Sequence, residues 1–189
     1  MSLPHALLTA LAERPGSGLE LAERFDRSIG YFWQATHQQI YRELGRLEEA
    51  GWVESAPVPS ARGRKRSYSI LPAGRQELKR WIAEQDDPQP LRDELMVRLR
   101  AEAAIGPSGL RDELTRRLAL HEDKLALYRQ IEKKDFLGKA PSRERRLRHL
   151  VLKAGIEQEQ LWIALSREAL QILGEAPSPE LVLGETGKS

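Results

Sequence analysis

The sequence predicts a mainly α-helical protein that contains one small β-hairpin and consists of two parts. Apolar residues recur at helical spacing through most of the 189 residues. Two short segments, 52–56 and 67–70, instead have the residue types and alternation of strands. The polar segment 85–90, Gln-Asp-Asp-Pro-Gln-Pro, interrupts the helical pattern. It separates a first part of mixed helix and strand from a second part that is helical throughout.

This interruption sets the domain boundaries that we expect. Residues 1–85 form the first domain, 86–90 the linker and 91–173 the second domain. The remaining segment, 174–189, holds two prolines and three glycines. We expect it to be a flexible tail, because such residues disfavour regular structure and chain ends are seldom tied down.

Composition limits the kinds of protein that the chain can be. Hydrophobic residues make up 40% and charged residues 31%, which is typical of a soluble globular protein. The absence of cysteine excludes zinc fingers, thiol nucleophiles and disulfides. No apolar run approaches the roughly 20 residues that cross a bilayer. We therefore expect a cytoplasmic protein without membrane contact.

Three helices are predicted before the hairpin: one over residues 3–13, a short one after Ser17, and one over 37–50. Ser17 and Glu20 have the spacing of a capping box, in which a hydroxyl and a carboxylate satisfy backbone amides at a helix start. Thr36 and Gln39 form a second box at the start of the third helix. Gly51 ends that helix.

A hairpin and a fourth helix complete the first domain. The strands 52–56 and 67–70 flank a loop rich in proline, glycine and basic residues. Pro72-Ala73-Gly74 ends the hairpin, and the fourth helix covers 75–84, with three residues facing inward: Leu78, Trp81 and Ile82. The order helix, helix, helix, strand, strand, helix is that of a winged helix-turn-helix domain.

The outward face of the third helix carries side chains suited to DNA recognition. Ile40, Leu44 and Leu47 face inward, so polar residues occupy the opposite and flanking positions. Glutamine can bind adenine, and arginine guanine, through two hydrogen bonds each, whereas tyrosine and arginine also suit phosphate oxygens. We predict DNA contacts by five of these residues: Gln38, Gln39, Tyr41, Arg42 and Arg46. The helix alone also fits an ordinary solvated amphipathic face.

Positive charge is concentrated at the hairpin tip. Residues 61–82 contain seven basic residues against one acidic residue, whereas 86–189 contain eighteen of each. A cluster of cations that follows a recognition helix in the sequence is typical of a surface that binds a phosphate backbone. We predict DNA contacts by five residues of the tip: Arg62, Gly63, Arg64, Lys65 and Arg66. The alternatives are a solubilising loop, or a patch for RNA or an acidic protein.

The second domain is predicted to contain three helices, over 91–104, from Ser108 to about 135, and from 142 to about 173. The middle helix has the spacing of a coiled-coil seam. The last helix has a long apolar stripe, which Ile156, Trp162 and Ile163 widen: Leu147, Val151, Ala154, Gln158, Leu161, Leu165, Ala169 and Ile172. Two helices cannot bury faces this wide against each other alone. We therefore predict a homodimer, with contacts through Leu114, Leu118, Leu125, Leu161 and Leu165.

The two domains together resemble the PadR family of bacterial transcriptional regulators. Residues 39–53, Gln-Ile-Tyr-Arg-Glu-Leu-Gly-Arg-Leu-Glu-Glu-Ala-Gly-Trp-Val, are similar to the family's recognition-helix signature, and 62–74 are similar to its wing. The two long final helices, with Gly155-Ile156-Glu157 and Trp162, resemble the dimerisation region of the longer PadR subgroup. One departure is Arg42, where family members often have proline.

This resemblance implies a DNA-binding regulator, which we predict to be a repressor. A two-fold dimer would present two recognition helices to a palindromic operator in double-stranded DNA. PadR relatives commonly sense small aromatic or drug-like ligands near the dimer interface. The resemblance therefore implies an effector site, for which the candidates are Tyr128, Phe136 and Trp162. Aromatic residues that belong only to a helical core are the alternative.

No motif predicts catalysis. The four histidines lack the spacing of a metal site, and no phosphate loop, dinucleotide-binding fingerprint or nucleophile elbow is present. We predict no enzymatic activity, no cofactor and no metal. The alternative to a regulator is a helical dimeric module that binds a protein or a ligand without specific DNA binding.

Overall fold

Helices dominate the computed structural model, which describes residues 3–27, 35–58, 65–88, 90, 92–138, 140 and 142–175, with the backbone alone for 25–27. Seven helices and three strands lie within these ranges. The prediction of a mainly α fold with a small β element is confirmed. The chain divides into two compact units, Met1–Pro88 and Gln89–Ser189.

Four helices form the first unit: α1 (Leu3–Glu13), α2 (Gly18–Arg27), α3 (His37–Glu49) and α4 (Pro72–Ile82). Their apolar faces meet in one core, as the helical spacing predicts. Its fully buried side chains include leucines of α1 and α2 and the inward residues of α3: Leu7, Leu8, Leu11, Leu21, Ile40, Leu44 and Leu47.

A three-stranded antiparallel sheet completes this unit. Its strands are β1 (Gly16–Ser17), β2 (Val53–Pro57) and β3 (Arg66–Ile70), in the order β1-β3-β2. The predicted hairpin is therefore present. The short strand β1 was not predicted, because two residues are too few to show the alternation that identifies a strand.

Both predicted capping boxes are present. The backbone N–H of Ser17 donates to Glu20 Oε2 at 2.8 Å, and the N–H of Glu20 donates to Ser17 Oγ at 3.3 Å. At the start of α3, the N–H of Gln39 donates to Thr36 Oγ1 at 3.2 Å, and the N–H of Thr36 donates to Gln39 Oε1 at 2.8 Å. Each box satisfies amides that a helix leaves unpaired at its first turn.

The prediction for α4 was wrong in two respects. The helix begins at Pro72 rather than at residue 75, because proline is well suited to the first helical position, where no amide hydrogen is needed. Ile82, expected to face inward, is 69% exposed. Trp81, which was also expected to face inward, does contact α1, and its ring stacks on that of His5 with 4.4 Å between the ring centroids.

The second unit contains α5 (Glu94–Ile105), α6 (Leu110–Asp135) and α7 (Arg143–Ile172). Ser142 caps α7, as the sequence suggests, by accepting the N–H of Arg145 at 3.2 Å. Ser108 does not cap α6: its N–H donates to Glu102, and Gly109 is the residue that precedes the helix.

The side of α7 that packs on α6 includes Ile156 and Ile163, which widen the predicted face, but only Ala169 of the apolar stripe itself. The buried residues are Leu152, Ile156, Glu159, Ile163, Ser166 and Ala169. Most of the predicted stripe is exposed on the other side of α7. The difference has a physical cause, since two buried positions are polar and a search for apolar spacing passes over them.

Candidate nucleic-acid interface

The outward face of α3 is exposed over its whole length. The capping box positions its first turn, and Ile40, Leu44 and Leu47 hold the opposite side in the core. The five predicted contact residues on this helix are all exposed: Gln38, Gln39, Tyr41, Arg42 and Arg46. The sequence prediction of an exposed polar face is thus confirmed, whereas contact with DNA stays a prediction.

These five side chains differ in how far they are engaged by the protein itself. Gln39 Oε1 accepts the N–H and the hydroxyl of Thr36, so this side chain serves the cap. Arg46 donates to Glu43 at 3.3 Å. Among the described residues, the side chains of Gln38 and Arg42 have no hydrogen-bond or ion-pair partner, so both are available to an external ligand.

Tyr41 connects α3 to the start of α2. Its ring lies directly against Gly18, where a Cβ atom would overlap the ring. Glycine at this position therefore lets the tyrosine lie across the first turn of α2. The residue as a whole stays 48% exposed, so Tyr41 is both a packing residue and part of the outward surface.

Lys65, at the base of the wing, is paired with a carboxylate of α2. Its ammonium lies 3.3 Å from Glu20 Oε1, while Glu20 Oε2 accepts the N–H of Ser17. Hydrogen bonds from the backbone and side chain of Ser17, together with Lys65, lower the pKa of Glu20 to about 2. The carboxylate is therefore ionised at neutral pH.

Arg66, the first residue of β3, is held to the end of α3 through β2. Its Nε donates to Ser55 Oγ at 2.7 Å, and Ser55 Oγ donates to Glu48 Oε1 at 2.5 Å. A direct ion pair between Arg66 and Glu48 measures 3.6 Å. The described base of the wing is therefore paired with the start of α2 through Lys65 and with the end of α3 through Arg66.

The remaining wing residues predicted to contact DNA, Arg62, Gly63 and Arg64, lie outside the described residues. The described part of the candidate DNA-binding surface therefore consists of the outward face of α3, the start of α2, and the wing base with Lys65 and Arg66. Sequence reasoning missed the partners Glu48 and Ser55, for which no local spacing gives a signal. It found Glu20 only as a capping residue.

The predicted dimer contacts lie in three environments. Leu114 is fully buried within its own chain, beside Leu95, Leu110 and Ala169. Leu118 and Leu125 are half-buried on α6. Leu161 and Leu165 are exposed on α7, and further exposed apolar residues continue the same stripe: Leu147, Leu150, Val151 and Ile172.

The three predicted effector residues lie at separate levels of the α6–α7 pair. Tyr128 is buried against Gly155, and burial raises the pKa of its hydroxyl. The ring of Phe136 stacks on that of His149, with 4.8 Å between the ring centroids. The ring of Trp162 stacks on that of His121, with 6.1 Å between the centroids.

Polar side chains also make contacts between α6 and α7. The buried carboxylate of Glu159 pairs with His121 at 2.5 Å and with Lys124 at 2.7 Å. Glu132 pairs with His149 at 2.7 Å, and this hydrogen bond lowers the pKa of Glu132.

Two absences concern the described ranges alone. Within these ranges, no three histidine, aspartate or glutamate side chains lie close enough together to hold a metal ion. Even the longest helices of these ranges are too polar to span a lipid bilayer.

Two family models match this chain. The transcriptional regulator PadR-like family matches residues 7–80, and the virulence activator alpha C-terminal family matches residues 91–174. The probable transcriptional regulator Rv1176c of Mycobacterium tuberculosis is 41% identical over 186 residues, which cover 90% of this chain and 98% of that protein.

Solved structures extend the similarity to nearly the whole chain. The virulence activator AphA of Vibrio cholerae has a TM-score of 0.75 and 33% identity over 92% of this chain and 98% of that one. PadR of Bacillus subtilis in complex with operator DNA has a TM-score of 0.77 and 26% identity, over 90% and 97% of the two chains.

The same Bacillus subtilis protein is similar in two further respects. As the negative transcriptional regulator PadR, it is 33% identical over 98 residues, 51% of this chain and 54% of that protein. Its complex with p-coumaric acid has a TM-score of 0.71 and 26% identity, over 92% and 99% of the two chains.

Proposed function

Because the chain belongs to the PadR family of transcriptional regulators, we propose that it binds a palindromic operator as a homodimer, with α3 in the major groove and the wing on the flanking phosphates. Family membership places the protein among regulators of transcription rather than enzymes. Regulation of transcription requires access to DNA, which supports the cytoplasm as its location.

One observation carries the DNA-binding proposal. The outward face of α3 presents Gln38 and Arg42 without partners among the described residues, and the cationic wing base is paired with Glu48 of the same helix and with Glu20 of α2. Gln38 and Arg42 have the donors and acceptors that read base edges. Tyr41, Lys65 and Arg66 suit phosphate contacts, which fix the helix in its register.

The exposed apolar stripe of α7 supports the dimer. Leu161 is 56% exposed and Leu165 37% exposed in one chain, and the stripe extends over most of the 30-residue helix. An apolar surface of this length on a helix is typical of a protein–protein contact. Pairing with a second copy would cover it and would carry two α3 helices to two half-sites.

Repression and release by an effector complete the proposal. The relative in Bacillus subtilis is a negative regulator whose structures hold operator DNA and p-coumaric acid. We propose that this protein occludes a promoter and that a small aromatic compound, bound at one of the three levels of α6 and α7 marked by Tyr128, Phe136 and Trp162, releases it. In vitro transcription from a promoter that carries the operator tests both parts.

Variants at Gln38 and Arg64 are expected to affect different parts of the binding energy. Gln38→Ala should reduce discrimination at one base position by about 1–3 kcal/mol, because a base contact is lost. Arg64→Ala should weaken all duplexes similarly and reduce the slope of log K against log salt by about one. Titrations of operator and scrambled duplexes at several salt concentrations measure both quantities.

Gln76→Ala is the matched control for Gln38→Ala, since Gln76 is an exposed glutamine on α4. Its binding should equal that of the parent chain. Equal behaviour of the Gln38 and Arg64 variants would contradict the division between base reading and phosphate contact. Absence of salt-dependent binding to any duplex by the parent chain would favour a module that does not bind DNA.

A further inference from the structure

The described cations at the base of the wing are already paired within the protein. Lys65 lies 3.3 Å from Glu20, and Arg66 lies 3.6 Å from Glu48. Resting on the DNA-binding function proposed above, we propose that Glu20 and Glu48 are internal counter-ions that lower the affinity of the wing for the phosphate backbone of any duplex.

Glu20 is fixed at a position that is suited to an anion. One carboxylate oxygen accepts the N–H of Ser17 at the start of α2, and the other faces the Lys65 ammonium. The start of a helix carries partial positive charge, so a negative group is favoured there. A phosphate that approached Lys65 would meet the charge of Glu20 within a few ångströms, and the two anions would repel each other.

Glu48 is fixed in a similar way at the other end of the wing base. Its Oε1 accepts both the N–H and the hydroxyl of Ser55, and that hydroxyl in turn accepts Nε–H of Arg66. A phosphate bound to Arg66 would therefore lie near a carboxylate that the backbone of β2 holds in position.

These ion pairs are expected to lower the affinity for DNA rather than to prevent binding. All four side chains are between 39% and 50% exposed. Solvent-exposed ion pairs are weak and are screened by salt, so phosphates can displace them. The carboxylates remain beside the cations after displacement, which reduces the attraction that each phosphate experiences.

The variant Glu20→Gln tests this proposal without removing the cap. Glutamine is the alternative residue at this position of a capping box, so its amide oxygen can still accept the N–H of Ser17. We expect Glu20→Gln to bind operator and scrambled duplexes about 3- to 10-fold more tightly at low salt. The salt slope should steepen by up to about 0.9, the value for one additional phosphate contact. Glu48→Gln should act in the same direction.

Two comparisons separate a local effect from a general one. Glu168→Gln makes the same change in net charge on an exposed residue of α7, in the other compact unit, and should leave the affinity unchanged. In a chain that already carries Lys65→Gln, Glu20→Gln should give a smaller gain, because the cation that Glu20 neutralises is absent. Thermal unfolding of each variant checks that the fold is kept.

Equal or weaker binding by Glu20→Gln would overturn the proposal, as would the same gain in the Lys65→Gln background. Failure of the parent chain to bind any duplex at low salt would instead contradict the proposed function, and the counter-ion role with it. Binding by the parent chain that the variants leave unchanged would contradict the counter-ion role alone.

Discussion

A chain in which Leu161 and Leu165 are both replaced by glutamine is expected to be monomeric at concentrations where the parent chain is a dimer. Both leucines lie on the exposed apolar stripe of α7. Glutamine keeps the net charge and the helix propensity. It would nevertheless place amides in an apolar contact, and each amide without a partner costs about 1–3 kcal/mol. Sedimentation equilibrium measures the change.

Loss of the dimer should weaken binding to a palindromic operator by a factor of about 10² to 10⁴. A dimer that has bound one half-site holds its second α3 close to the other, which raises the effective concentration for the second contact. A monomer lacks this advantage. Titration of the operator with the double variant measures the loss.

Ala164→Gln provides the control for the double variant. It adds an amide to the same helix at an exposed position beside the apolar stripe, and it should leave both the dimer and the operator affinity unchanged. A double variant that stays dimeric would contradict the assignment of the stripe. A monomer with unchanged operator affinity would contradict the two-site mode of binding.

Substitution of two glycines by alanine is expected to change stability in opposite directions. Gly74 is buried in the first turn of α4, where a Cβ atom would overlap the carbonyl oxygen of Trp52. That oxygen accepts the N–H of Leu71 at 2.9 Å, so backbone must move on both sides. We expect Gly74→Ala to lower the free energy of unfolding by about 1–3 kcal/mol, the usual cost of overpacking.

Gly45→Ala is the matched comparison. Gly45 lies in the interior of α3, and a Cβ there would have no atom within 4 Å. Alanine is favoured over glycine in a helix by about 1 kcal/mol, so this variant should be more stable than the parent chain. Urea unfolding followed by circular dichroism measures both. A Gly74→Ala variant as stable as the parent chain, or more stable, would contradict the packing of α4 on Trp52.

Elements marked by local spacing could be predicted from the sequence. Both capping boxes depend on residues three positions apart, Ser17 with Glu20 and Thr36 with Gln39, and both are present. The inward face of α3 was also predicted correctly, because its apolar residues repeat with the period of a helix.

Features that depend on distant residues could not be predicted. The local sequence gives no signal for buried Glu159, because its partner His121 is 38 residues away on α6. The pair of Lys65 with Glu20 spans 45 residues. Side chains that tertiary packing brings together leave no signal in the local sequence pattern. The residues that form the surface beside α3 could therefore be identified only from the structure.

The most direct test of the account is selection of bound sequences from a pool of random duplexes at two salt concentrations. A dimer that reads bases through α3 and holds phosphates through the wing should recover a palindromic consensus, with affinity that falls steeply as salt rises. Negligible binding at low salt, with no consensus recovered, would contradict the account.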